Sequence, residues 1–409
     1  MASTIYLDTA RLGRMCPEAQ AADRDFARLA SEEGCTLYFE HFLRWGYTAL
    51  PRSLGRRYPG LSFWAGVKAF KNDLKTVLCL PRERRLLVAN RSAQLVRLAA
   101  RVLFRRCENV LVTDMEWPAY VKALRAECQR TGRLLTTVPM REAILSARIG
   151  QDEAVDRLLG HYRRHDCDGL FLSAVTFQGV QLPVRQLVQT LGDRERERPR
   201  FVVVDAAQAL NHIPLGLGEE YCDLVLAGCH KWLRAYQTLG LALCCRRPAE
   251  RFVADACAEM RQRGELDDPL LTFTHQLETD STDSYSETVN LAPLFTAAAA
   301  VRRMLGSPRA KRQELLEQTA NADRLADAAP EAGWHPARPA PPMQSGILLL
   351  EPNHQDTRAA PPDAVRERFL ASGIALTVYE GGTIRASLPD RPFDAAQLRL
   401  LQTALRRCA

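Results

Sequence analysis

The chain has 409 residues, with 55 Lys+Arg against 48 Asp+Glu, 46% hydrophobic and 25% charged residues, the balance of a globular protein with a sizeable core. Disorder, collagen-like repeats and a small disulfide scaffold are excluded. Only six of the basic residues are lysines, and arginine runs alternate with acids, as in Gly192-Asp-Arg-Glu-Arg-Glu-Arg. The net charge of +7 therefore reads as solvated surface, with no arm or face for nucleic acid.

The N-terminal segment reaches Asp8 and Arg11 before any apolar run long enough for a signal peptide, and no stretch approaches the roughly 18 apolar residues of a membrane span. The expectation is a cytoplasmic protein with no membrane partner. Strand-like runs follow at Leu86-Leu-Val-Ala, Asn109-Val-Leu-Val-Thr, Gly169-Leu-Phe-Leu-Ser, Phe201-Val-Val-Val-Asp, Cys222-Asp-Leu-Val-Leu-Ala and Leu239-Gly-Leu-Ala-Leu-Cys-Cys. Near-continuous apolar strands between helical stretches such as Gln94 to Phe104 predict an α/β fold, a largely parallel sheet covered on both faces. From about residue 295 come an Ala-rich helix, a charged helical segment to Ala329 and the Pro-rich Pro336 to Pro342. Two strands, Gly346 to Leu350 and Thr383 to Leu388, and a closing helix Ala395 to Leu405 follow. That texture predicts a smaller α+β domain. Twelve cysteines from Cys16 to Cys408 form no C-x-x-C pair and are expected to be core thiols, with no metal. Cys244 and Cys245 alternate across a strand and cannot share an ion.

The chemistry concentrates between Phe201 and Cys245. One apolar strand ends in Asp205, with Gln208 three residues on, and another ends just before His230-Lys231. Ligands of open α/β sheets bind beyond the carboxyl ends of strands. A carboxylate and a lysine placed there match what pyridoxal phosphate (PLP) requires: a lysine for the Schiff base and an acid to keep the pyridine nitrogen protonated. Gln208 is placed to hydrogen-bond the ring oxygen. Taken singly, Asp205 as a helix cap and Lys231 as a surface residue are the simpler readings. Their joint position at two strand ends favours the site.

The block Asp205-Ala-Ala-Gln208-Ala-Leu-Asn-His212, Gly228-Cys-His230-Lys231 and Thr238-Leu-Gly240 resembles the class V aminotransferase and cysteine desulfurase family of fold-type I PLP enzymes. Tyr6-Leu-Asp8-Thr-Ala10, Leu87 to Gln94, Asp114-Met-Glu116-Trp117, Glu287-Thr288-Val-Asn290 and Gly382-Thr-Ile-Arg385-Ala-Ser extend the resemblance over nearly the whole chain. It implies a large PLP-binding domain at 16–291 and a small domain made of 1–15 and 292–409. Lys231 is then the catalytic lysine. The cofactor is held by Asp205, Gln208 and His230, by Trp117 stacked on its ring, and by Arg91, Ser92 and Ala93 at a helix N-terminus that takes the phosphate. Thr288 reaches the phosphate of the neighbouring subunit, which implies a homodimer with composite sites. Arg385 anchors the substrate carboxylate. Arg11 and Arg14 follow the opening motif, and solvated surface is the simpler reading for both.

Desulfurases of this family use a loop cysteine upstream of the arginine motif, and this chain has none between Cys257 and Cys408. The resemblance then leaves β-elimination of the carbon–sulfur lyase type from an amino acid or amino-acid conjugate as the leading expectation, in specialised metabolism. Aminotransfer, oxidative deamination or decarboxylation, epimerisation, and a non-catalytic PLP-binding relative are the alternatives.

Overall fold

The computed structural model describes residues 4–34, 40–193, 197–279, 289–305 and 308–409. The strands in chain order are β1 (Ile5–Tyr6), β2 (Leu86–Ala89), β3 (Asn109–Thr113), β4 (Leu134–Val138), β5 (Gly169–Ser173), β6 (Phe201–Asp205), β7 (Leu224–Gly228), β8 (Gly240–Cys244), β9 (Trp334–Ala337), β10 (Ile347–Pro352), β11 (Ile374–Ala375), β12 (Thr377–Val378) and β13 (Ile384–Ser387). Seven of them form the main sheet in the order β2-β8-β7-β6-β5-β3-β4. Only β8 runs antiparallel to its neighbours; the other pairings are parallel. The expected α/β architecture, fold-type I with a mostly parallel sheet, is the one observed.

The strands are apolar at nearly every position because both faces are covered. Leu86, Val88, Val202, Val204, Leu241 and Leu243 enter one core, and their neighbours Leu87, Ala89, Phe201, Val203, Ala242 and Cys244 enter the other. Each fully buried Val, Leu or Phe contributes roughly 1.5–3 kcal/mol, and a one-residue slip would exchange the two sets. Cys244 and Cys245 fall on opposite faces accordingly, and the eleven described cysteines are all free thiols. Helices Ser92–Arg106 and Arg247–Gln262 cover one face. On the other, helix Ala292–Leu305 packs against Pro17–Glu33 and Val67–Val77. Among the described residues, no helix is long and apolar enough to cross a membrane.

A second sheet, β12-β13-β10-β9, is antiparallel and shares a core with helices Pro362–Ala371 and Ala395–Cys408, around Trp334, Phe369 and Leu405. Its edge strand β9 includes Pro336, in a stretch whose prolines read as loop. An edge strand tolerates proline because one side of it needs no ladder donor. Strand β4, with only one buried residue, also escapes the sequence pattern for want of a continuous apolar run.

The N-terminal segment ties the two sheets together. β1 pairs with β11, Ala10 N–H donates to Ser387 Oγ at 2.9 Å, and Gly13 N–H donates to His230 O at 2.8 Å. A Cβ at Gly13 would stand 2.0 Å from Lys231 O, so only glycine lets this segment lie against the backbone of the lysine loop.

Candidate active site

Because β8 is reversed, the ends of β2, β3, β5, β6 and β7 share one sheet edge with the start of β8. A cavity of about 490 Å³ opens there. Asp205 ends β6, Ser173 ends β5 beside it, and His230-Lys231 follow β7. The small sheet closes the other side with Thr377, Tyr379 and Arg385. Of the residues singled out from sequence, Ser92, Trp117, Asp205, Gln208, His230, Lys231 and Arg385 line this one cavity.

Its charges are buried and under-partnered. The Lys231 amine makes no ion pair or hydrogen bond among the described residues. Burial pushes its amine down to about 8, against the pull of Asp205, with Arg385 adding repulsion. Asp205 accepts from Ala207 N–H at 2.9 Å, and burial raises its pKa despite that bond and the nearby Lys231. His230 is held neutral, pushed down to about 4 by burial and by Lys231, and its Nδ1 has no partner among the described residues. Gln208 is fixed at both ends of its amide: Nε2 donates to Ala10 O and Oε1 accepts from Trp232 Nε1, each at 2.8 Å. An amide nitrogen carries two protons, so one remains for a ligand.

Helix Ser92–Arg106 points its N-terminus at the cavity with no acidic residue in its first turn. Its dipole and free N–H groups are thus available to an anion. Close packing sets this approach: a Cβ at Gly240 would stand 2.5 Å from Ser92 N. Ser92 Oγ lies 3.3 Å from Tyr120 Oη, and burial pushes the Tyr120 phenol up to about 12. The side chains of Arg91 and Ala93, at the start of this helix, are exposed and are not among the residues lining the cavity. Thr288 lies outside the described residues.

Trp117 is 42% exposed and packs edge-on against Phe177 at 5.2 Å between ring centroids, and Phe177 likewise against Tyr379 at 5.9 Å. Arg385 is 4% exposed. Its contacts are long: Thr377 Oγ1 at 3.3 Å, Phe177 O at 3.5 Å and Asp8 at 3.7 Å, and its Nε has no partner among the described residues. Arg11 lines the cavity, whereas Arg14 stacks on Tyr6 in a neighbouring cleft.

Four groups escaped the sequence reading. Phe177 and Tyr379 sit in loops whose direction no periodicity fixes. Ser173 was visible only as a strand end. Glu116 stands one residue before Trp117, in the Asp114-Met-Glu116-Trp117 motif, yet is buried between Thr113 and Ser173. A buried amine without an acceptor, an unpartnered imidazole nitrogen, an anion-ready helix N-terminus and a buried carboxylate form a donor set that fits PLP: aldehyde, phosphate and ring nitrogen each find a counterpart.

The family model for Aminotransferase class-V matches residues 60–254, the span that holds Ser92, Trp117, Asp205 and Lys231. No curated protein matches the chain in sequence. Among solved structures, the Escherichia coli cysteine desulfurase CsdA in its S-sulfonic acid form superposes with a TM-score of 0.71 at 16% identity, covering 99% of this chain and 94% of that one. Thermococcus onnurineus cysteine desulfurase superposes at 0.66 and 13% identity, covering 98% and 94%. A C-DES mutant with glycine covalently linked to its PLP cofactor gives 0.67 and 13%, covering 99% and 97%. At such identities these likenesses show the fold. The family match falls on the segment that carries the lysine and the aspartate, and the chain shares its fold with these PLP-linked and desulfurase structures.

Proposed function

We propose that the chain is a PLP-dependent enzyme that takes the Cα proton from an amino acid or amino-acid conjugate and expels a β-substituent, in the manner of a carbon–sulfur lyase. The observation that carries the cofactor reading is Lys231, a half-buried side chain whose amine has no acceptor among the described residues, opposite the buried Asp205. When bound, PLP supplies an electron sink for the charge left on Cα. Asp205 holds a proton on the ring nitrogen, Ser92 and the helix N-terminus take the phosphate, and Trp117 covers the ring. Arg385 binds the substrate carboxylate with a guanidinium its own surroundings leave underused, which fixes the plane of the amino acid. Lys231, with a pKa near 8 before it is loaded, is the base that accepts the Cα proton.

Elimination is favoured by Tyr379. Burial raises its phenol, which stays protonated, and its hydroxyl has no partner among the described residues while lining the cavity. It is placed to donate a hydrogen bond to a departing β-substituent. The described lining holds no cysteine that would take sulfur from a substrate. Phosphate contacts from a second copy, and hence a homodimer, belong to the same proposal. Incubation with S-alkyl cysteines decides the reaction. Pyruvate, ammonia and thiol in equal amounts are expected; consumption of a 2-oxo acid without pyruvate release would replace elimination by aminotransfer.

A further inference from the structure

Glu116 has no place in the chemistry above, yet it is wholly buried and aimed at it. It follows β3, and its Oε1 accepts from Thr113 Oγ1 at 2.9 Å. The Thr113 oxygen meanwhile accepts from Met115 N–H at 3.3 Å, so the threonine's one proton is committed to Glu116. Glu116 Oε2 is in short contact with Ser173 Oγ. Ser173 and Asp205 are paired across β5 and β6, so this hydroxyl stands beside the Asp205 carboxylate, whose proton affinity it lowers. Two carboxyl groups therefore flank a hydroxyl that has a single proton.

With both acids ionised, Ser173 can donate to only one, and two buried negative charges face each other. With a proton on Glu116 Oε2 the conflict disappears: Glu116 donates to Ser173 Oγ, Ser173 donates to Asp205, and one negative charge remains, on Asp205. Burial and the charge of Asp205 push Glu116 up to about 7, against the hydrogen bonds from Ser173 and Thr113. The charged and titratable groups around this pair are few: Asp205 faces Glu116, Lys231 acts on Asp205 from beyond it, and Asp205 in turn raises Tyr120.

We infer that Glu116 is a positioning residue that, through Ser173, holds and charges the carboxylate of Asp205 for the ring nitrogen of the cofactor. This rests on the PLP reading above and adds to it a proton store one residue before the ring-covering Trp117. Its protonation changes the negative potential at Asp205 without any movement of the backbone.

Two measurements test it, on the full chain and on its Glu116→Gln and Ser173→Ala variants. The glutamine is isosteric, donates permanently to Ser173 and cannot titrate. The first needs no cofactor. Folding favours the neutral form of Glu116, so wild-type stability carries a contribution that is lost as pH rises from about 4.5 toward 7. The Tm of Glu116→Gln relative to wild type is expected to rise by roughly 1–4 °C between pH 5 and pH 8; parallel curves would overturn the inference. The second follows PLP binding by the absorbance that depends on Lys231. The ratio of affinities, Glu116→Gln over wild type, is expected to change by roughly 2- to 10-fold between pH 6 and pH 8, the size of one hydrogen bond, and Ser173→Ala to abolish that change. A constant ratio with the absorbance present would overturn the role of Glu116 alone. Absence of Lys231-dependent absorbance would overturn the cofactor reading, while the Tm curves still report on Glu116.

Discussion

Two buried arginines in this molecule stand in opposite conditions. Arg101, on the helix that covers one sheet face, meets Glu127 at 2.6 Å, Glu259 at 3.3 Å and Glu265. Arg385, buried to a similar degree, has only long contacts and an unpartnered Nε among the described residues. The same contrast separates two lysines: the buried Lys71 pairs with Glu278 at 2.7 Å, and the half-buried Lys231 pairs with none of the described residues. Burying a cation is costly unless its partners are present. The Arg101 region meets that requirement within the chain and is structural. The cavity leaves it open for a ligand, and the fold tolerates the cost there.

The sharpest test of this contrast is Lys231→Ala. It is expected to abolish covalent PLP capture and turnover while leaving Tm within a few degrees or higher, since an unpaired buried amine is removed; retained absorbance after mixing with PLP would undo the assignment. Next is Arg385→Ala. Loss of a carboxylate anchor is expected to lower kcat/KM for amino-acid substrates by roughly 10²-fold or more, with stability nearly unchanged; unaltered kinetics would break the pairing of under-satisfaction with function. Arg101→Ala should do the reverse. Stranding its carboxylates is expected to cost about 3 kcal/mol, the low end for a broken buried pair because Glu265 is partly solvated, read as a lower denaturant midpoint with PLP affinity preserved.

The smallest effect is the pH dependence of loading. With the amine near 8, the neutral fraction of Lys231 grows as pH rises from 6, is half-maximal near pH 8 and levels off about one pH unit above that. The rate of PLP capture by the cofactor-free protein should follow the same curve, whereas an amine at its ordinary value would still gain rate at pH 9 and beyond. The sign is that of a base whose proton is disfavoured by burial.

Much of this site was legible before folding. Asp205 and Lys231 ended runs of buried-strand residues, and a strand end is a place as well as a pattern, so the two could be put at one sheet edge from sequence. Gln208, His230, Ser92 and Trp117 came with them because each lies within a few residues of a strand or helix end. Arg385 was legible only through the motif around it. The exposed direction of the Arg91 side chain was not legible, because a sequence places a helix N-terminus without orienting the side chain before it. Thr288 lies outside the described residues.

What the sequence by itself determined is the layering and the sheet edge, because alternation along a strand and helical periodicity are local and set by which faces meet water. Only the tertiary structure decided who is partnered. That Arg101 is surrounded by acids from two helices and a loop, that Arg385 and Tyr379 line the cavity with groups unused among the described residues, and that Glu116 bonds a hydroxyl paired across the sheet with Asp205 all depend on contacts between residues far apart in the chain. The free energy of a buried charge is set by those contacts, so satisfaction, and with it the chemistry of the site, exists only once the chain has folded.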